Sequence, residues 1–76
     1  MKPSQLVAIV QRLQTMADQN TDIEIRRFEK NGVERCVVTF NQEQDSFELE
    51  DLEAKQTFRF DDIDLVAIEI FEILQD

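Results

Sequence analysis

Apolar residues recur at helical spacing near both ends of the chain and alternate with polar residues between them. Leu6, Ile9, Val10, Leu13, Met16 and Ala17 follow i, i+3, i+4, i+7 spacing, while Arg12, Gln14, Thr15, Asp18 and Gln19 occupy the opposite side. The pattern predicts an amphipathic helix from Ser4 to Gln19, with Ser4 as N-cap and Asn20 closing it in a left-handed conformation. A second stripe, Ile63, Val66, Ala67, Ile70, Phe71 and Leu74, predicts a helix that starts at Asp61 or Asp62. Carboxylates there cap free amides and meet the positive end of the helix dipole. Leu65 and Ile68 fall off that stripe, on a side otherwise held by Asp64, Glu69, Glu72 and Gln75. A helix that is apolar on more than one side is expected to be covered on more than one side.

The middle of the chain reads as strands. Asn31-Gly32 tolerates the positive φ angles of a two-residue hairpin turn, so strands are expected at 22–30 and 33–40. A straight register then sets Lys30 opposite Val33, Arg27 opposite Cys36, Ile25 opposite Val38 and Ile23 opposite Phe40. A turn through residues 41–46 pairs Phe40 with Phe47 and Val38 with Leu49. A further turn near Glu53-Ala54-Lys55-Gln56 sets Leu49 opposite Phe60 and Glu50 opposite Arg59. On this reading the core face holds Ile23, Ile25, Cys36, Val38, Phe40, Phe47, Leu49, Phe58 and Phe60. The outer face mixes charged residues with Phe28, Val37 and Leu52. Such alternation suits an antiparallel sheet covered on one side. The expected architecture is α+β, a two-layer α-β-β-β-β-α chain with a meander sheet and both helices packed on one face. Residues 1–76 form a single domain.

Composition narrows the chemistry. A chain of 76 residues buries a modest fraction of its unfolded surface, so its core is marginal without outside help. Cys36 is the sole cysteine and there is no histidine, which rules out an internal disulfide and the common structural zinc sites. Oligomerisation is the support that remains. Charge is uneven: residues 1–40 carry six Lys/Arg against five Asp/Glu, and residues 41–76 carry two against twelve, giving the net −9. An acidic half repels nucleic-acid phosphates and anionic membrane surfaces. Met1-Lys2 is followed by Pro3, Ser4 and Gln5 rather than an uninterrupted apolar run, and nothing approaches a membrane span. With one free thiol and no export signal, a cytoplasmic location is expected.

Several short strings fall in a recognisable order. Ser4-Gln5-Leu6 and Arg12-Leu13-Gln14 lie in the first helix, Asn31-Gly32 precedes Cys36, and Phe47-Glu48-Leu49 follows. The end reads Phe60-Asp61-Asp62-Ile63-Asp64, then Ile68-Glu69-Ile70-Phe71-Glu72-Ile73-Leu74. The sequence resembles the YkuJ-like family of small uncharacterised proteins from Gram-positive bacteria over nearly its whole length. The resemblance implies a compact helix-and-antiparallel-sheet fold and a dimer. It implies no reaction and no catalytic residue.

Each candidate chemistry has a plainer explanation. Cys36, set beside Arg27 in the straight register with Asp51 on its other side, could be favoured as thiolate by the guanidinium. Asp51 offsets that charge, no histidine base is present, and a cysteine between apolar strand residues is a small core residue, expected to be buried and slow to react. Asp61, Asp62 and Asp64 could ligate Mg²⁺ or Ca²⁺, but helix capping accounts for them. The stretch from Asn41 fails as an EF-hand, with Ser46 and Leu52 where glycine and glutamate are needed. Paired carboxylates need a cleft that separates their pKa values, and no phosphate-cradling glycine loop or nucleophile motif is present. Arg26, Arg27, Lys30 and Arg35 form a basic cluster with Phe28, but Glu24, Glu29 and Glu34 interleave with it, a poor footprint for nucleic acid.

The sequence therefore points away from an enzyme and from any cofactor or metal. It points to a small cytoplasmic homodimer that acts by binding a further, unidentified protein. Two surplus apolar sets are candidate contact residues: Leu65 and Ile68 on the second helix, and Phe28, Val37 and Leu52 on the outer sheet face. The alternatives are a thiol-based redox sensor or enzyme using Cys36, and an acidic decoy for a basic protein face.

Overall fold

The computed structural model describes residues 3–18 and 23–75, apart from the side chains of Pro3 and Ile23. The helix end expected at Asn20 and the core place expected for the Ile23 side chain lie outside the described residues. Helix α1 spans Pro3–Asp18, followed by strands β1 (Ile23–Lys30), β2 (Val33–Asn41), β3 (Ser46–Asp51) and β4 (Gln56–Phe60), and helix α2 spans Ile63–Ile73. Among the described residues these strands form one antiparallel sheet in the order β1-β2-β3-β4. The architecture is the expected α+β arrangement. Ser4 lies inside α1 rather than at its cap, because the helix already begins at Pro3, whose fixed φ suits a first turn.

Both helical stripes close over the sheet. Ile9, Leu13 and Met16 of α1 and Val66, Ala67 and Ile70 of α2 are buried with Cys36, Val38, Phe40, Phe47 and Leu49. Phe40 and Phe47 face each other across β2 and β3 with ring centroids 4.8 Å apart. This central register is the expected one, with Phe40 opposite Phe47 and Val38 opposite Leu49.

The first hairpin differs from its expected register. Asn31 (φ 54) and Gly32 (φ 78) make the turn, and Lys30 pairs with Val33 as expected. A bulge then intervenes: Glu29 pairs with Glu34 but Phe28 pairs with Cys36, leaving Arg35 as the extra residue on β2. One added residue reverses the faces of β1. Ile25 lies opposite Thr39 instead of Val38, on the outer face, and is 46% exposed; Phe28 moves into the core at 2% exposure. Arg27 is consequently not the neighbour of Cys36. The bulge is held by Leu52, whose N–H donates to the Arg35 carbonyl at 3.1 Å, and by the Arg35–Glu53 ion pair at 3.0 Å. On the core side of β1 it leaves Glu24 and Arg26, which satisfy each other in a 2.8 Å ion pair.

The last turn also sits one residue earlier than expected. Asp51 Oδ1 accepts from the N–H groups of Glu53 and Ala54, both at 3.1 Å, which begins the turn at Leu52. Leu49 therefore pairs with Phe58, and Arg59 with Glu48. The shift in partner is two residues, so Phe58 and Phe60 keep their expected face.

Candidate interaction surfaces

Helix α2 is started by Asp62, whose Oδ1 accepts from the Asp64 N–H at 2.8 Å. The main apolar stripe sets which side of the helix faces inward. Val66, Ala67 and Ile70 go into the core, and Leu65 and Ile68 project outward at 54% and 47% exposure. They are three residues apart and so lie side by side. Asp61, Asp64 and Glu72 are exposed around them. The result is an apolar pair bordered by carboxylates.

The second expected set does not come together. Phe28 is buried by the bulge, Val37 is half-buried on the outer sheet face, and Leu52 is half-buried in the β3–β4 turn. Ile25 takes the outer-face place expected for Phe28. Its neighbours there are Thr39 opposite, and Arg27 along the strand, which pairs with Glu34 at 3.1 Å. The basic cluster is divided in the same way, with Arg26, Arg27 and Arg35 each set against a carboxylate.

Burial of Phe28 creates a feature that the strand pattern did not signal. A groove of about 510 Å³ runs between α1, the end of β1 and the C-terminal end of α2. Ala8, Ile9, Phe28 and Leu74 supply its apolar lining, with Arg12, Glu29 and Lys30 beside them. The Arg12 guanidinium lies 4.3 Å from the centroid of the Phe28 ring, a cation–π arrangement. Its Nη2 also donates to the Arg27 carbonyl at 3.4 Å. The available sequence signal was Arg12 itself, a cation on the polar side of α1; its partner could not be found while Phe28 was placed outside.

Cys36 is fully buried as a free thiol. Burial pushes its pKa up to about 12, and the Asp51 charge adds to the shift. At neutral pH it is a protonated core residue. Among the described residues no group of three or more Asp, Glu, Cys or His converges to hold a metal ion, and no described helix is long and apolar enough to cross a membrane.

The family model described as "Protein of unknown function (DUF1797)" matches residues 9–74, from the middle of α1 past the end of α2. The chain belongs to this family. It is similar to the uncharacterised protein YkuJ of Bacillus subtilis (strain 168), with 41% identity over 78 residues covering 95% of this chain and 99% of that protein. An X-ray structure of the Bacillus subtilis YkuJ protein superposes with a TM-score of 0.88 at 37% identity, covering 95% of this chain and 99% of that one. The shared fold therefore includes both helices and the whole sheet of this DUF1797 member.

Proposed function

We propose that this protein is a non-catalytic cytoplasmic interaction module that works as a homodimer, with Leu65 and Ile68 of α2 at the contact, and that the dimer presents its remaining surface to another protein. The observation that carries this reading is the exposed Leu65–Ile68 pair on a helix whose opposite side is already committed to the core. Each side chain is about half covered in the single chain. Completing its burial is worth on the order of 1 kcal/mol, from the roughly 1.5–3 kcal/mol of a full leucine or isoleucine. Two such residues from each copy do not offset the cost of association alone, so the contact needs further complementary surface. The thiol reading draws no support from a fully buried Cys36 with a raised pKa. The acidic border of the pair does favour a basic surface opposite it.

Sedimentation equilibrium tests the proposal. The wild-type chain is expected to be a dimer at tens of micromolar. Leu65→Asp with Ile68→Asp is expected to be a folded monomer. A monomeric wild type, unchanged by the double substitution, would end the reading.

A further inference from the structure

Pairing α2 with α2 across a two-fold axis would bring Asp61, Asp64 and Glu72 of one copy against the same residues of the other. Like charges at such an interface oppose association. The apolar pair needs a surface that is apolar at its centre and cationic at its edge. The α1–β1 groove has that character, with Ala8, Ile9 and Phe28 in its lining and the Arg12 guanidinium over the Phe28 ring. Arg12 has no carboxylate within ion-pair distance among the described residues, whereas Arg26, Arg27 and Arg35 each have one. In a chain with seventeen acidic residues, a guanidinium held by an aromatic ring and one long hydrogen bond to a carbonyl is an available anion partner. Glu29 at the rim is the opposing charge.

We infer that the occupant of this groove is a second copy of the chain: Leu65 and Ile68 of one protomer dock between α1 and β1 of the other, with Asp64 meeting Arg12. This rests on the homodimer reading and names the surface that reading lacks. A two-fold arrangement makes the contact twice, since each copy offers its α2 face and receives its partner's. It also brings the acidic half of each chain toward the less acidic half of the other, within the roughly 8 Å over which charge acts at physiological ionic strength.

A charge-swap experiment with the full chain tests the inference. Arg12→Glu and Asp64→Arg should each raise the dimer dissociation constant by about a hundredfold, since both symmetric contacts lose their close charge pair at roughly tenfold each. An equimolar mixture of the two variants should recover tight association. In that heterodimer one contact is native and the other is reversed but still complementary. Ala8→Glu, at an exposed groove position outside the Arg12–Phe28 stack, should weaken the dimer as well, and far-UV circular dichroism should show every variant folded. If Asp64→Arg tightens the dimer while Arg12→Glu and Ala8→Glu leave it unchanged, α2 packs on α2 and the inference is wrong. Failure of the mixture to associate more tightly than either variant alone would also overturn it. A wild-type chain that is monomeric throughout refutes the homodimer itself.

Discussion

The bulge at Arg35 makes a quantitative statement about β1 that two alanine substitutions can check. Phe28 is 2% exposed and Ile25 is 46% exposed. Truncating a buried phenylalanine typically costs about 3–5 kcal/mol through lost transfer energy and the cavity left behind. Here the cation–π contact with Arg12 is lost too, worth roughly 0.5–1 kcal/mol at a partly solvated site. A chain of this size has a total stability of about 4–11 kcal/mol, taking roughly 0.05–0.15 kcal/mol per residue. Phe28→Ala should therefore cost about 3.5–6 kcal/mol, a large share of that stability. Ile25→Ala touches a half-exposed side chain and should cost about 1 kcal/mol or less. Urea unfolding followed by circular dichroism gives both values, with equal m-values required for the comparison. A straight hairpin register predicts the opposite order, because it buries Ile25 and exposes Phe28. If Ile25→Ala proves the more costly change, the bulge and the groove built on Phe28 are both wrong.

Two other expectations concern groups with clear physical roles. The Cys36 thiol is pushed up to about 12 in the folded chain from an ordinary 9.0. The unfolded chain therefore loses this proton first as pH rises, and stability should fall from about pH 9 toward pH 12. The decline should be shallower in Cys36→Ala, and native-state labelling by a thiol reagent at neutral pH should be far slower than for free cysteine; equal slopes, or fast labelling, would contradict the burial. Asp62→Ala removes the acceptor for the Asp64 N–H and should cost about 1 kcal/mol in thermal or urea unfolding, whereas Asp61→Ala, which provides no such cap, should change little.

Legibility of the fold in the sequence varied with the kind of signal available. The two helical stripes were plain because six spaced positions in each repeat the same period. The central register was plain because Phe40 with Phe47 and Val38 with Leu49 align together or not at all. The first strand carries a conflict instead: Ile23 and Ile25 have one parity and Phe28 the other, with Arg26-Arg27 between them. A straight register keeps the isoleucines inside; the bulge keeps the aromatic inside and leaves Ile25 to solvent. No local residue type announces the bulge, because its support comes from Leu52 and Glu53, beyond the next strand. The turns behave similarly. Asn31-Gly32 was recognisable, but the other positive φ angles fall on Asp45 and Lys55, where neither glycine nor asparagine marks them. The α2 apolar pair was readable directly from its helical position. The groove was not, since it exists only after Phe28 has changed faces.

The sheet edges help decide where a copy can add. An open four-stranded sheet associates most simply by pairing an edge strand with another edge. Here β4 is only five residues long and includes Gln56, Thr57 and Arg59. β1 is eight residues long, but its inward side carries the Glu24–Arg26 pair, and Arg12 donates to its Arg27 carbonyl. Antiparallel pairing of two β1 strands about their centre would also set Arg26 and Arg27 against the same residues of the second copy, where like charges are destabilising. Both edges are thus poor templates for growth, while α2 keeps two large apolar side chains in water. The bulge contributes to each side of this balance. By reversing β1 it turns Glu24 and Arg26 inward at the edge, and by burying Phe28 it gives Arg12 the ring that holds it beside the groove. A single extra residue in β2 therefore discourages sheet extension and leaves a groove beside α1, which is the surface that the proposed association through α2 requires.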